Sequence, residues 1–175
     1  MREKSEQERF EEAVLPHLDA AYNLARWMTH DEHDAEDVVQ EAYYRALKFF
    51  AGFRGGDGRA WILAVVRHTG YTWLKRNRAR DLTTSFDEEI HSVGGEDLDP
   101  EHLFHRRVDQ QLLHEALAAL SLPFREVLVL REMEGLSYQE IVVVTSIPLG
   151  TVMSRLARAR RLLQQQLTAC AGEEG

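Results

Sequence analysis

Apolar side chains recur along this chain at helical spacing, and no period-two strand pattern with hairpin turns interrupts them. Ser5 and Glu8 have the spacing of a capping box that opens a first helix toward Leu15. Pro16 is expected to kink or restart that helix, with a second stretch running to about Met28. The polar run "THDEHD" reads as a connector, and Asp34 as the N-cap of the next helix, with Asp37 near its positive end. In that helix Val39, Tyr43, Ala46 and Phe50 share a face, flanked by Ala42 and Leu47. Asp37, Gln40, Glu41, Tyr44, Arg45 and Lys48 fall outward or at the edges.

"AGFRGGDG" at 51–58 packs four glycines into eight residues and must be a loop. A long helix follows from Arg59 to about Arg80, in which Gly70 costs roughly 1 kcal/mol against Ala. Residues 81–101 lose periodicity, turn acidic and carry Ser, Gly and Pro; they read as an extended linker and the domain boundary. Helix returns over about 102–120, with Val108, Leu112, Leu113, Ala116 and Leu120 near one side. Pro123 starts another helix through Glu134, closed by Gly135 as a left-handed cap. The expected fold is all-α: two small helical domains, 5–80 and 102–168, joined by the acidic linker.

The stretch "GLSYQEIVVVTSIPLGTVMSRLARARRLLQQQL" has a further capping box, Ser137 with Glu140, then a short helix, a break, and Pro148 at the first position of a longer helix. Short helix, tight turn and longer helix make a helix-turn-helix. In the longer helix Val152, Leu156, Ala159, Leu163 and Leu167 form a narrow apolar stripe. Ser154, Arg158 and Arg161 point away from it, with Thr151 and Arg155 beside them. The N-terminal part of such a helix enters the major groove, where Ser, Thr and Arg bond phosphates and base edges.

Charge sharpens this pattern. The formal net charge is -8, yet its distribution is uneven. Residues 1–44 carry 4 basic and 12 acidic side chains, 45–80 carry 9 basic against Asp57 alone, and 81–101 carry 8 acids with no Lys or Arg. Residues 151–161 hold 4 arginines and no acid. Two basic clusters on two helices suit phosphate contact better than a solvated face. The first cluster interleaves Arg59, Arg67, Lys75, Arg76, Arg78 and Arg80 with Trp61, His68, Tyr71 and Trp73. Rings beside cations suit unpaired bases, although Trp61 and Trp73 serve equally well as core.

Other chemistry finds little support. Cys170 is the single cysteine, so neither an intrachain disulfide nor a cysteine-based zinc site forms within one chain. His30, His33, Asp31 and Asp34 lack a standard zinc spacing, and His102 and His105 read as exposed polar residues. Nucleophile elbow, phosphate loop and paired catalytic acids are all missing, so no catalytic residue, metal or cofactor is expected. No apolar run approaches a membrane span and the N-terminus lacks a signal-peptide core, which predicts a cytoplasmic protein with no membrane insertion.

"HDAEDVVQEAYYRALKFFAGFRG" followed by "AWILAVVR" resembles region 2 of bacterial RNA polymerase sigma factors, and "LPFREVLVLREMEGLSYQEI" with "IPLGTVMSRLARARRLL" resembles their region 4. With region 3 replaced by a short acidic linker, the layout is similar to the extracytoplasmic-function (ECF) class. The resemblance spans roughly residues 10–80 and 105–167. It implies that Asp37, Gln40, Glu41, Tyr44 and Arg45 dock on the β′ clamp helices of core polymerase, and that the second domain meets the β flap. It implies that Phe53, Arg54, Arg59, Trp61, Arg67, Tyr71, Lys75 and Arg76 bind the −10 promoter element, where a flipped base is captured. It implies that Thr151, Ser154, Arg155 and Arg158 read the −35 element, and that an anti-sigma factor holds the protein inactive.

Two departures from the family pattern stand out. Val142, Val143 and Val144 cannot all be buried on a two-turn helix, so one is expected to face a partner. Met153 and Ala157 occupy places often held by basic residues, which predicts fewer phosphate contacts. The acidic segments are expected to mask the DNA-binding faces until core polymerase is present. An ordinary helix-turn-helix regulator stays open as an alternative, though it leaves the basic-aromatic helix without a purpose.

Overall fold

The structure, a computed structural model, describes residues 2–81 and 110–172, without the side chains of 79–81. Linker residues 82–101, His102, His105 and Val108 lie outside the described residues. Within them the chain is helical and no strand occurs.

Helix α1 spans Glu6–Val14, and its capping box is complete: the Ser5 hydroxyl accepts from the Glu8 N–H while the Glu8 carboxylate accepts from the Ser5 N–H. A 3₁₀ turn at Leu15–His17 carries Pro16, and α2 follows over Leu18–Thr29. Helix α3 spans Glu32–Lys48. Its start corrects the expected N-cap. Asp31, extended at φ -137°, accepts from the Asp34 N–H at 3.0 Å, so Asp34 sits in the first turn. The connector shrinks to two residues because His30 adopts the left-handed conformation, φ 60°, and stops α2 abruptly.

Helix α3 buries Ala35, Val38, Val39, Ala42 and Ala46. Val38 was absent from the expected face, and Leu47, expected to flank it, is 49% exposed. The helix ends before Phe50, whose 3₁₀ turn swings that ring back into the core beside Phe10, 5.3 Å away and edge-on.

Helix α4 runs Gly58–Asp81 and packs on α1, α2 and α3. A Cβ on Gly58 would meet the Ala13 carbonyl oxygen at 2.2 Å, so only glycine lets the start of α4 press on the end of α1. Gly70 has its own reason: its missing side chain leaves room for the Met28 thioether, which a Cβ would meet at 2.6 Å.

The second half opens with α5, described over 110–118, in which Leu117 replaces the expected Leu113 in the core. Helix α6 spans Leu122–Leu128 with Pro123 in its first turn, then widens into a π-helical turn at Val129–Met133. There Glu134 N–H donates to the Val129 carbonyl and Leu136 N–H to the Leu130 carbonyl, and Gly135 at φ 67° closes the element as expected. Helices α7, Tyr138–Thr145, and α8, Leu149–Gly172, complete the chain.

The two halves share one apolar cluster. It runs from Phe10 and Val14 through Leu24, Ile62 and Leu63 to Val127, Ile141, Val152 and Leu156. Each such side chain contributes about 1.5–3 kcal/mol when fully buried. Helix α4 packs on α7, and α2 on α6, so the two halves meet along a packed seam.

Candidate nucleic-acid interface

The helix-turn-helix forms as the sequence implies. Helices α7 and α8 meet at a bend of 102°, within the angular range of DNA-binding helix pairs. Ser146, left-handed at φ 56°, caps α7 and turns the chain. Val152, Leu156 and Ala159 are buried, with Leu163 and Leu167 half-buried, so the apolar stripe faces the core. Ser154, Arg158 and Arg161 are exposed, and Thr151 and Arg155 lie at the edge. Among the described residues, no carboxylate pairs with Arg155, Arg158 or Arg161. Arg158 rests over the Phe124 ring, its guanidinium carbon 5.3 Å from the centroid. That contact holds the side chain while leaving the N–H fork for an acceptor.

The three valines of α7 divide as expected: Val144 is buried, Val142 half-buried, and Val143 is 57% exposed. The capping box at Ser137 is only half made. Its hydroxyl accepts from the Glu140 N–H at 3.1 Å, but the Glu140 carboxylate turns away to Arg59 Nη2, 2.6 Å distant. Here a tertiary ion pair outcompetes a local one.

The basic-aromatic helix is arranged differently from α8. Arg59 reaches across to the second half, donating to Glu140 and, at 3.2 Å, to the Glu134 carbonyl. Arg67 forms a fork with Glu126, Nε to Oε2 at 2.8 Å and Nη2 to Oε1 at 2.9 Å, and the Glu126 side chain is 0% exposed. Burial works against the Arg67 charge, but the hydrogen bonds and the field of Glu126 more than offset it and raise the Arg67 pKa. Tyr71 lies under Arg67, with 4.6 Å from ring centroid to guanidinium carbon. Burial first, then the Glu126 charge, pushes its phenol up to about 12 against the opposing charge of Arg67. Arg54, Lys75 and Arg76 stay exposed.

Phe53 and Trp61 sit half-buried at 5.1 Å, both packed on Phe50. With Arg54 and Asp57 they form one wall of a groove of about 380 Å³, whose other wall is Gln139, Glu140 and Val143 of α7. The site therefore straddles both halves of the chain.

Sequence reasoning missed the residue that ties the seam. Arg125 is 6% exposed and, among the described residues, has no carboxylate partner. Its guanidinium donates to the carbonyls of Leu117, Ala118 and Leu120, and across the seam to Trp27 at 2.8 Å. Three of these acceptors end α5 and its turn, and the fourth lies in the last turn of α2, where the helix dipole favours a cation. Nearby the Trp27 and His114 rings lie 4.8 Å apart, and Asn23 donates to Glu134 at 2.6 Å.

On the α3 face, Asp37, Gln40 and Tyr44 are exposed, Tyr44 by 68%. Glu41 and Arg45 pair with each other one turn apart at 2.7 Å. Leu47 and Phe49, 62% exposed, extend this surface with apolar area that the sequence pattern had placed in the core or left unassigned.

Among the described residues, no group of three or more His, Cys, Asp or Glu is placed to hold a metal ion. No single helix there is long and apolar enough to cross a membrane.

Comparison with known proteins gives consistent matches. A family profile described as Sigma-70 region 2 matches residues 13–80, and one described as Sigma-70, region 4 matches residues 110–163. The ECF RNA polymerase sigma factor SigE of Mycolicibacterium smegmatis is 34% identical over 167 residues, covering 94% of this chain, which spans 63% of that protein's length. The RNA polymerase sigma-H factor of Pseudomonas aeruginosa is 30% identical over 174 residues, covering 94% of this chain and 89% of the relative. These relatives are sigma factors, which are not enzymes. The sigma factor RpoE in its complex with the anti-sigma factor NepR from Bartonella quintana superposes with a TM-score of 0.73 at 27% identity, covering 91% of this chain and 97% of RpoE. CnrH, solved with the cytosolic domain of CnrY, gives a TM-score of 0.62 at 26% identity, with coverage of 93% and 90%.

Proposed function

Because the chain belongs to the ECF class of bacterial sigma factors, which direct promoter-specific transcription initiation, we propose a division of labour over its surface. Residues 5–80 form region 2, 81–101 the linker and 102–168 region 4. Asp37, Gln40, Glu41, Tyr44 and Arg45 on α3 dock on the β′ clamp helices of core polymerase, joined by Leu47 and Phe49. Exposed large apolar side chains beside charges are what a protein interface uses. Region 4 meets the β flap, and Val143 is its apolar candidate.

Phe53, Arg54, Arg59, Trp61, Arg67, Tyr71, Lys75 and Arg76 engage the −10 element as it opens. Half-buried rings beside guanidinium groups stack bases and hold the strand. Thr151, Ser154, Arg155 and Arg158 read the −35 duplex. The observation that carries this reading is the open face of α8, where Arg155, Arg158 and Arg161, free of carboxylates among the described residues, stand past a sharp helix-turn-helix bend. The protein works in the cytoplasm, carries no catalytic group of its own, and is held by an anti-sigma partner, as RpoE is by NepR in their complex.

The test is in vitro transcription by bacterial core polymerase, with and without the protein, on a pool of promoter fragments from the source genome. Specific transcripts are expected only with the protein, and are expected to vanish when Arg155 and Arg158 are changed together. A sequence-specific shift of duplex DNA by the protein alone, without transcripts, would favour an ordinary regulator and remove the docking role of α3.

A further inference from the structure

Arg59 and Arg67 are assigned above to promoter DNA, yet both are occupied. Glu126 holds Arg67 through two parallel hydrogen bonds and Glu140 holds Arg59 through one. Both carboxylates come from the second half of the chain, 59 and 81 residues away in sequence. To a guanidinium, a carboxylate and a phosphodiester offer the same thing: a pair of anionic oxygens spaced for its fork. An arginine that holds the one cannot hold the other in the same geometry. The covering extends beyond charge, because Val143 and Gln139 of α7 wall the groove that Phe53 and Trp61 open into.

Resting on the sigma-factor reading, we infer that Glu126 and Glu140 stand in for promoter phosphate: they latch the two halves together in the free chain, keep the strand-binding surface of α4 covered, and let go when core polymerase draws the halves apart. The acidic linker was the expected mask; these two glutamates supply a mask from within the folded halves. The fork suits a latch. A buried ion pair gains little net free energy over its hydrated partners, so it is specific without being permanent. Removing one partner is different, since it strands the other's charge in the seam. A neutral residue at 126 should therefore drive the halves apart.

The experiment uses the full chain with Glu126→Gln and Glu140→Gln together. The probe is a fluorescently labelled single-stranded oligonucleotide of random sequence. If the latch keeps about a tenth or less of the free chain open, releasing it tightens binding about tenfold or more. Binding should also weaken more steeply with salt, because the two freed arginines add phosphate contacts. The radius of gyration from small-angle scattering should rise in parallel. Unchanged affinity and radius in a variant with an intact helical spectrum would overturn the latch.

Should that variant fail to fold, a second design decides. Asn23→Cys and Glu134→Cys, in a Cys170→Ser background, are joined across the seam by a thiol-cleavable bis-maleimide. The joined protein is expected to lose promoter-directed transcription with core polymerase and to recover it on cleavage. Full activity while joined would show that the halves need not part. The unmodified protein in the same assay reports on the sigma-factor reading separately, and its silence would sink that reading whatever the cross-link does.

Discussion

Helices α4 and α8 invite comparison. Each is 24 residues long, begins at or next to a glycine and carries a run of arginines. By sequence both are assigned to DNA. In the structure they differ in what surrounds the charge. Helix α4 lies against its own chain on several sides, and Arg59 and Arg67 are spoken for by glutamates. Helix α8 buries only its stripe; Arg160 at its side donates to Glu132 at 2.8 Å, but Arg155, Arg158 and Arg161 meet no carboxylate among the described residues. Basic composition therefore says where phosphate can bind and not whether the site is available. Availability depends on partners far away in sequence.

The comparison breaks most visibly in function. Arg155→Ala with Arg158→Ala should abolish promoter-specific transcription. Each well-placed Arg contact is worth about 1–3 kcal/mol of discrimination. The same pair should cost at most about 1 kcal/mol of stability, mostly the Arg158–Phe124 contact. Arg67→Ala should instead lower stability and transcription together, because it also leaves Glu126 buried without its partner. Denaturant unfolding run beside the transcription assay separates the two. If Arg67→Ala leaves stability untouched, the contrast between the helices is wrong.

Arg125 is the next largest effect. Arg125→Met keeps the length of the side chain but strips the donors from four carbonyls. Unpaired buried acceptors and a lost charge-assisted network predict a loss of about 3 kcal/mol or more, read as a lower denaturation midpoint. Destabilisation below about 1 kcal/mol would mean that water replaces the guanidinium and that the seam is not tied there.

Much of this architecture is legible in the sequence because it is local. The Ser5–Glu8 capping box, the stop at Gly135, the α8 stripe and the exposed Val143 all follow from spacing within a turn or two. What escapes is long-range. Glu140 fits a capping box on spacing alone, and only the packing of α4 on α7 offers it Arg59 as a better partner. Nothing in the sequence near Arg125 announces that its acceptors lie in α5, the following turn and α2. The start of α3 differs from the expected one because Asp31 and Asp34 are both good caps, and the left-handed turn at His30 decides between them. The π turn after Leu128 gave no sequence signal.

The two helix starts give a smaller, opposite pair of effects. Gly58→Ala would drive a Cβ into the Ala13 backbone, which cannot yield as a flexible side chain can. The expected loss is about 2 kcal/mol. Gly150→Ala meets nothing within 4 Å, and should stabilise by about 0.5 kcal/mol through a stiffer unfolded chain and better helix propensity. Thermal melts of the two variants should move in opposite directions. A matching loss in both would show that α8 is as confined at its start as α4.

The smallest effect concerns pH at the seam that covers α4. His30 ends α2 beside the α5–α6 corner. Shielding of its ring from water, then the charges of Arg125, His114 and Arg26, lower its pKa from 6.5 to about 4. His114, whose ring lies tilted against Trp27, is lowered too, by burial first and then by Arg26, with Glu115 opposing. A histidine with a depressed pKa is bound in its neutral form. Its contribution is present in full above about 6.5 and is lost as pH falls from there toward about 4, because the unfolded chain takes up the proton first. His30 is exposed as a residue, so solvent screens the effect to a few tenths of a kcal/mol, roughly 1 kcal/mol at most. His30→Asn suits the left-handed backbone and cannot titrate. Its melting temperature should therefore fall less than the parent's between about pH 7 and about pH 5. Equal slopes in the two proteins would place the acid sensitivity of the seam outside the His30–Arg125 cluster.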